Sequence, residues 1–236
     1  MVKVEDIIVL INEYRLHTDS SKDLVRTFSP FLSEFSLVRE RSRKIARVQA
    51  PEFNIFDLLG VARDEVHTHS SIIADLLNPS GRHGQGTLFL DAFVEIGLEK
   101  APENSALREF IQSPNRHESS VLTEMHSQFG RLDIVILNPS IGFLCVIENK
   151  VGAIEQVQQL ERYNLWMNTM HQDYPLHTLV FLTIKGNLAA TASNQEYIPI
   201  SYNHDVVGWL DTTLPTVEAP NVKVILQQYC EIARRL

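Results

Sequence analysis

Residues 130–150 contain the feature that most constrains the fold, two β-prone runs joined by a short turn. The first reads Gly-Arg-Leu-Asp-Ile-Val-Ile-Leu from residue 130, the turn is Asn-Pro-Ser at 138–140, and the second ends in Glu-Asn-Lys at 148–150. Strand-forming runs on either side of a turn are typical of a β-hairpin. A hairpin brings the beginning of one strand next to the end of the other. We therefore expect Asp133, Glu148 and Lys150 to converge at its open end.

The residue types at this open end favour metal-assisted chemistry on phosphate. Residues two apart share a face of a strand, so Glu148 and Lys150 lie on one side. Glu148 directly follows five apolar residues, and a carboxylate at the end of a buried strand needs a cation. Two carboxylates are hard oxygen ligands that suit Mg2+ or Mn2+. A neighbouring lysine can orient a water molecule and offset charge on a phosphate.

This pattern resembles the PD-(D/E)XK nuclease superfamily, in which an acid on one strand is followed by Glu/Asp-x-Lys at the end of the next. Here these are Asp133 and Glu148-Asn149-Lys150. The flanking sequence makes the resemblance more specific. It consists of Asp-Glu-Val-His-Thr-His-Ser at 64–70, a glycine-rich loop at 78–86, and Gln-Leu-Glu-Arg-Tyr at 159–163. The last of these is similar to the Q-x-x-x-Y element of RecB-type nucleases. The resemblance extends over roughly residues 50–185.

The resemblance implies a role for each motif residue. The metal ligands would be Asp133, Glu148, the backbone carbonyl of Asn149, and Glu65, and the cofactor would be Mg2+ or Mn2+. The catalytic residues would be Asp133, Glu148, Lys150, Gln159, Tyr163 and Glu65. From the residues alone, Glu65 is also compatible with a helix surface, and Gln159 and Tyr163 with the polar edge of a helix. Because they are one turn apart, we expect the Gln159 amide near the two strand acids.

Two histidines and one basic segment are candidate contacts for nucleic acid. His69 can lie near the site or be a core or capping histidine, and His83 stands in a glycine-rich loop that suits anions. The basic segment either contacts phosphates or is a solvated helix face; it comprises Arg39, Arg41, Arg43, Lys44 and Arg47. The sequence disfavours a zinc site because cysteine partners are missing. The loop also lacks the Gly-Lys-Ser/Thr of a nucleotide-binding P-loop.

The order of predicted elements indicates an α/β fold. Helices are predicted at 63–77 and 87–99, three antiparallel strands at about 121–129, 131–137 and 143–150, a helix at 153–170, and a strand at 177–184. These are followed by a short strand near 197–201 and helices at 204–214 and 221–235. Residues 101–118 are predicted to be a connecting segment. A helix that crosses to a parallel strand fits a mixed sheet covered by helices. This is also the restriction-endonuclease-like α-βββ-α-β core that the resemblance implies.

Domain organisation and location follow from patterning. We expect an N-terminal helical appendage at 1–50 and a nuclease domain with C-terminal helices at 51–236. The acids near the N-terminus do not match a signal peptide, and no apolar run is long enough to span a bilayer. Two cysteines, Cys145 and Cys230, fit a reducing compartment. We therefore expect a cytoplasmic protein that does not bind membranes.

Taken together, the sequence predicts a Mg2+-dependent endonuclease that acts on DNA, in defence against phage or plasmids or in DNA processing. The net charge is -8, whereas proteins that bind nucleic acid strongly usually carry an excess of basic residues. This favours action within a homo-oligomer, or with a partner protein that supplies recognition. Two alternatives stay open. One is a nuclease directed at RNA, and the other is a non-catalytic nucleic-acid-binding or assembly subunit of the same fold.

Overall fold

The computed structural model describes residues 3–15, 21–103, 105–152, 155–192 and 196–236, with the backbone only for residues 15 and 21–27. Parts of three predicted segments lie outside this description: residues 1–2 and 16–20 of the appendage, residue 104 of the connection at 101–118, and residues 153–154 of the helix at 153–170. The chain divides into two compact units, Met1–Phe53 and Asn54–Leu236. Each unit is described by itself below.

The first unit is helical. Helix α1 spans Val4–Arg15, and α2 spans Ser21–Gln49 with Pro30 inside it. No side chain described between residues 3 and 50 is buried. The hydrophobic core formed by the described residues therefore belongs to the second unit.

A mixed five-stranded sheet forms the centre of the second unit, in the order β1-β2-β3-β4-β5. The first three strands are antiparallel, whereas β3, β4 and β5 run parallel. The bounds are Ser120–Ser127 for β1, Gly130–Asn138 for β2, Phe143–Lys150 for β3, Leu176–Thr183 for β4 and Ile198–Ser201 for β5. The predicted hairpin is therefore the β2-β3 pair at the middle of the sheet.

Side-chain chemistry explains the β2-β3 turn. The Asn138 Oδ1 atom accepts a hydrogen bond from the Ile141 amide at 3.1 Å. Gly142 has a φ of +71°, a left-handed conformation that favours glycine. The strands then pair in register from Asn138 opposite Phe143 to Ile134 opposite Ile147. This register decides which polar residues meet at the open end.

Helices cover both faces of the sheet and confirm the predicted fold class. One face carries the larger core, in which Ile134, Cys145 and Ile147 pack with residues of α4, α5, α8 and α9. The other carries a smaller core in which Val146 packs with Leu160 of α7. The helices are α3 Ile55–Leu58, α4 Ser71–Leu77, α5 Leu88–Lys100, α6 Ala106–Gln112, α7 Gln159–Thr169, α8 Val207–Thr213 and α9 Pro220–Arg234. None of the described helices is long and apolar enough to cross a membrane.

Four predicted elements differ from the structure, and one of them is the helix expected at 204–214, which opens with a π-helical turn, Tyr202–Val206, before α8. The helix expected at 153–170 begins only at Gln159, because Gln158 adopts a left-handed φ of +53° that no α-helix accommodates. The helix expected at 63–77 opens with a π-helical turn, Glu65–Ser70, before α4. The segment 101–118, read as a connection, contains α6 and the 3-10 turn Pro114–Glu118, both too short for a clear periodic pattern.

Candidate active site

The two strand acids meet where the β2-β3 pairing ends. The last paired residues at this end are Ile134 and Ile147, so Asp133 and Glu148 are the next residues on the adjacent strands. Asp133 Oδ2 accepts a hydrogen bond from the Asn149 amide at 2.8 Å. Asp133 is 7 % exposed and Glu148 is 0 % exposed. The structure thus brings two buried carboxyl groups together at the carboxyl end of β3.

Glu148 is the most constrained residue of the site. Its Oε1 atom accepts a hydrogen bond from Gln159 Nε2 at 2.6 Å and forms an ion pair with the Lys150 ammonium. Its Oε2 atom is buried and has no hydrogen-bond partner. Burial, followed by the negative charge of Asp133, raises the pKa of Glu148 to about 8. A bound cation would reverse this cost, since it would pair the orphaned oxygen and favour the ionised form.

Lys150 supplies positive charge beside the acids. Its side chain is only 12 % exposed. Burial lowers the pKa of Lys150, but the charges of Glu148 and Asp133 outweigh burial and leave that pKa above its ordinary value. The amine therefore stays protonated at neutral pH. Burial also raises the pKa of Asp133, although the Asn149 amide and Lys150 oppose the shift.

The Q-x-x-x-Y pair contacts the site through α7. Gln159 Nε2 donates to Tyr163 Oη at 2.9 Å as well as to Glu148, and Gln159 Oε1 accepts from the Gln156 amide at 3.2 Å. Tyr163 in turn donates to the Arg131 carbonyl at 2.5 Å. These bonds define the orientation of the Gln159 amide. The sequence predicts that the Gln159 amide lies near the two strand acids. In the structure, the amide contacts Glu148 directly.

Glu65 binds backbone amides in this structure. Its Oε2 atom accepts from the Val151 amide at 2.6 Å and from the Gly152 amide at 3.1 Å. Within the described ranges, no group of three His, Cys, Asp or Glu side chains is arranged to hold a metal ion. Ligation of a metal through Glu65 Oε2 would compete with these two hydrogen bonds. A metal role for Glu65 stays a prediction.

The side chain of Asn149 has partners that the sequence does not reveal. Its Oδ1 atom accepts from Tyr202 Oη at 2.8 Å, and its Nδ2 atom donates to Ser70 Oγ at 2.9 Å. Asn149 is fully buried, and Ser70 is 1 % exposed. Sequence reasoning assigned a role only to the Asn149 carbonyl and missed Ser70 and Tyr202. No local pattern singled out either residue, since Ser70 stands between His69 and Ser71 in a polar segment.

The two histidines do not support the phosphate contact expected of them. His69 is 0 % exposed, and its ring nitrogens lie 3.1 Å from Tyr229 Oη and 3.1 Å from the Ala62 carbonyl. His83 is 4 % exposed, with Nε2 3.0 Å from the Asn78 carbonyl and Nδ1 accepting from the Gln85 amide. Both nitrogens of each ring are therefore occupied within the fold. His69 therefore lies in the core and His83 holds the glycine-rich loop in place, and contact with nucleic acid stays a prediction for both residues.

The basic segment lies outside the unit that contains the acids. All five of its residues are exposed on α2 of the Met1–Phe53 unit: Arg39, Arg41, Arg43, Lys44 and Arg47. Exposure is compatible with both readings, a phosphate-contacting arm and a solvated helix face. Contact with nucleic acid stays a prediction for these residues.

Comparison with known proteins adds one finding. A model of the PD-(D/E)XK nuclease superfamily matches residues 53–231. This range contains the sheet, the converging acids and α7. No curated protein and no solved structure matches the chain.

Proposed function

The chain belongs to the PD-(D/E)XK nuclease superfamily, and from this premise we propose that residues 54–236 form a divalent-cation-dependent endonuclease that hydrolyses phosphodiester bonds in DNA. The observation that carries the proposal is the buried, unpaired Oε2 atom of Glu148 beside Asp133 and Lys150. Buried oxygens without a partner are rare and costly in folded proteins. A cation at this position would remove that cost.

The donor set fits a hard divalent cation. Asp133, Glu148 and the backbone carbonyl of Asn149 would hold it, all through oxygen, as Mg2+ and Mn2+ prefer. When bound, the cation would supply Lewis-acid stabilisation of negative charge on the phosphate. Glu65 is a further candidate ligand, whose Oε2 atom accepts hydrogen bonds from the Val151 and Gly152 amides in this structure.

The chain's own groups would position the substrate and the attacking water. The Lys150 ammonium, now paired with Glu148, would stabilise the negative charge that develops on the scissile phosphate. The Gln159 amide would hold Glu148 in orientation and offer polar contacts to water. Tyr163 would maintain that amide by its own hydrogen bond. Burial raises the pKa of the Tyr163 hydroxyl, so it stays a neutral group.

DNA is the substrate that we propose, because the family resemblance favours it over RNA. The site chemistry acts on phosphate and does not itself discriminate between the two. A biological role in defence or DNA processing, within the cytoplasm, rests on the same resemblance. A non-catalytic role is disfavoured because Asp133, Glu148, Lys150 and Gln159 are all present and brought together.

The test is cleavage of supercoiled plasmid, linear duplex DNA and total RNA by the purified full chain with Mg2+, with Mn2+ or with EDTA. We expect DNA cleavage with either metal and none with EDTA. Glu148→Gln should be inactive, whereas Glu95→Gln, at an exposed position on α5, should cleave like the natural chain. Cleavage of RNA alone would replace the proposed substrate. Activity that persists in EDTA would refute the cation mechanism.

A further inference from the structure

Helix α2 presents an apolar stripe to solvent. Phe31, Val38 and Ile45 recur at intervals of seven residues and are 53 %, 58 % and 43 % exposed. Phe28 and Phe35 are also seven residues apart. Each of them precedes a residue of the stripe by three positions, Phe31 and Val38 respectively. This is the heptad spacing of a coiled coil, here three heptads over residues 28–49. The a positions are Phe28, Phe35, Ser42 and Gln49, and the d positions are Phe31, Val38 and Ile45.

A helix with this surface is poorly stable without a partner. Helices derive most of their stability from packing an apolar face, and α2 has no buried side chain in its described part. Arg39, Arg43 and Arg47 follow each other at intervals of four, which places like charges next to each other on the helix. The exposed apolar face indicates that α2 packs against another surface in solution.

The charged residues beside the stripe indicate which surface α2 packs against. Glu34 occupies a g position and Arg39 the following e position, five residues later. In a parallel pair of helices, a g residue faces the e residue of the next heptad on the other helix. Two copies of α2 would thus form the Glu34–Arg39 pair twice. The next g–e pair, Arg41 with Ala46, carries no like-charge repulsion.

We propose that α2 mediates dimerisation, by pairing with α2 of a second copy of this chain in a parallel coiled coil over residues 28–49. Ser42, at an a position, is a polar seam residue of the type that sets register and oligomeric state at some cost in stability. Leu32 and Val48, at e and g positions, widen the apolar contact. This proposal concerns the Met1–Phe53 unit and does not depend on nuclease activity.

The proposal divides the basic segment into two groups. Arg39 and Arg41 flank the seam, where Arg39 pairs with Glu34. Arg43, Lys44 and Arg47 occupy the outer b, c and f positions. A dimer would therefore present six outward basic side chains along one rod, and none of these six side chains would lie in its seam. Outward charges of this kind remain free to contact a phosphate backbone.

The first experiment measures the mass of the full chain by light scattering and its dimer dissociation constant by sedimentation. We expect twice the chain mass of 26.9 kDa. Val38→Asp should raise the dissociation constant by about 100-fold, because it buries an unpaired charge in the seam. Leu37→Asp is the matched control, since Leu37 is 67 % exposed at the neighbouring outer c position. A monomeric natural chain, or equal effects of both variants, would overturn the proposal.

The second experiment tests the pairing and its direction. Glu34→Arg and Arg39→Glu should each weaken the homodimer, and an equimolar mixture should form a heterodimer in which both pairs are again attractive. Val38→Cys should form a disulfide between the two copies, because parallel d positions face each other. A mixture that stays monomeric would contradict the charge pairing. A dimer that does not crosslink at residue 38 would contradict the parallel arrangement.

Discussion

Gln159 Nε2 lies 2.6 Å from Glu148 Oε1, which joins the first residue of α7 to the acid at the end of β3. The same nitrogen donates to Tyr163 Oη, so a single amide links helix, strand and tyrosine. Glu148 has one oxygen held by Gln159 and Lys150 and the other without a partner. This asymmetry underlies the predictions about the acids and the amide.

The Gln159 amide is expected to act mainly on turnover. Gln159→Ala should lower kcat by about 10- to 100-fold, because Glu148 loses its orienting donor, and Tyr163→Phe should cost less. Steady-state cleavage of a duplex substrate gives both kcat and KM. Gln227→Ala, an exposed glutamine on α9, is the control for loss of an amide. A Gln159→Ala enzyme with unchanged kcat would remove Gln159 from the mechanism.

The strand residues are expected to be indispensable for cleavage. Asp133→Ala, Glu148→Ala and Lys150→Ala should each reduce the rate by at least ~100-fold, the scale observed when one transition-state stabiliser is lost. The two carboxyl variants should remain folded, since removing one buried acid relieves repulsion on the other. Circular dichroism and thermal unfolding check this. Near-normal cleavage by any of these variants would refute the role proposed for that residue.

Stability without metal should depend on pH through Glu148. Its pKa is 4.5 in an ordinary setting and about 8 here, so between these values the folded protein binds more protons than the unfolded chain. The free energy of unfolding should therefore fall as pH rises from about 4.5 to about 8. Thermal unfolding in EDTA should show this decline, and Glu148→Gln should lessen it. A natural chain that gains stability over this range would contradict the prediction.

Metal binding should compete with protons at the same carboxyl group. Below about pH 8, Mg2+ or Mn2+ must displace a proton from Glu148, so affinity should weaken by up to about tenfold per pH unit. Calorimetric titration at several pH values measures this without any substrate. A pH-independent affinity would show that the cation binds without Glu148.

The Asn149 side chain is expected to support the fold around the motif. Asn149→Ala should destabilise the protein by about 1–3 kcal/mol, because Tyr202 Oη and Ser70 Oγ lose buried partners. Tyr202→Phe removes one of these bonds and should cost about 0.5–1.5 kcal/mol. Urea unfolding measures both changes. A neutral Asn149→Ala variant would show that the hydrogen bonds do not contribute to stability.

The outward basic residues provide the test of DNA binding. If they contact phosphates, Arg47→Gln should weaken duplex binding and lower the log–log salt slope by about 0.9. Arg108→Gln, at an exposed position on α6, should change neither quantity. Fluorescence anisotropy between low and moderate salt gives both values. An unchanged slope for Arg47→Gln would favour the solvated-face reading.

The sequence by itself determined the local features of this protein. Two β-prone runs and the Asn-Pro-Ser turn predicted the hairpin, and the order of elements predicted a helix-covered mixed sheet, which the structure confirms. The spacing of Asp133, Glu148 and Lys150 also predicted that they converge. These features depend on residues that are close in sequence or that meet across one hairpin. The residue pattern of each segment and the chemistry of the turn were therefore sufficient to predict them.

Only the tertiary structure decided contacts between distant segments. Tyr202 and Ser70 bind Asn149 from elements far apart in sequence, and His69 is buried against Tyr229 of α9. The π-helical turn at Glu65–Ser70 and the left-handed Gln158 are local features of the backbone. The spacing of apolar residues along the sequence does not reveal them. Burial then sets the pKa of Glu148, since desolvation by surrounding chain segments is its largest cause.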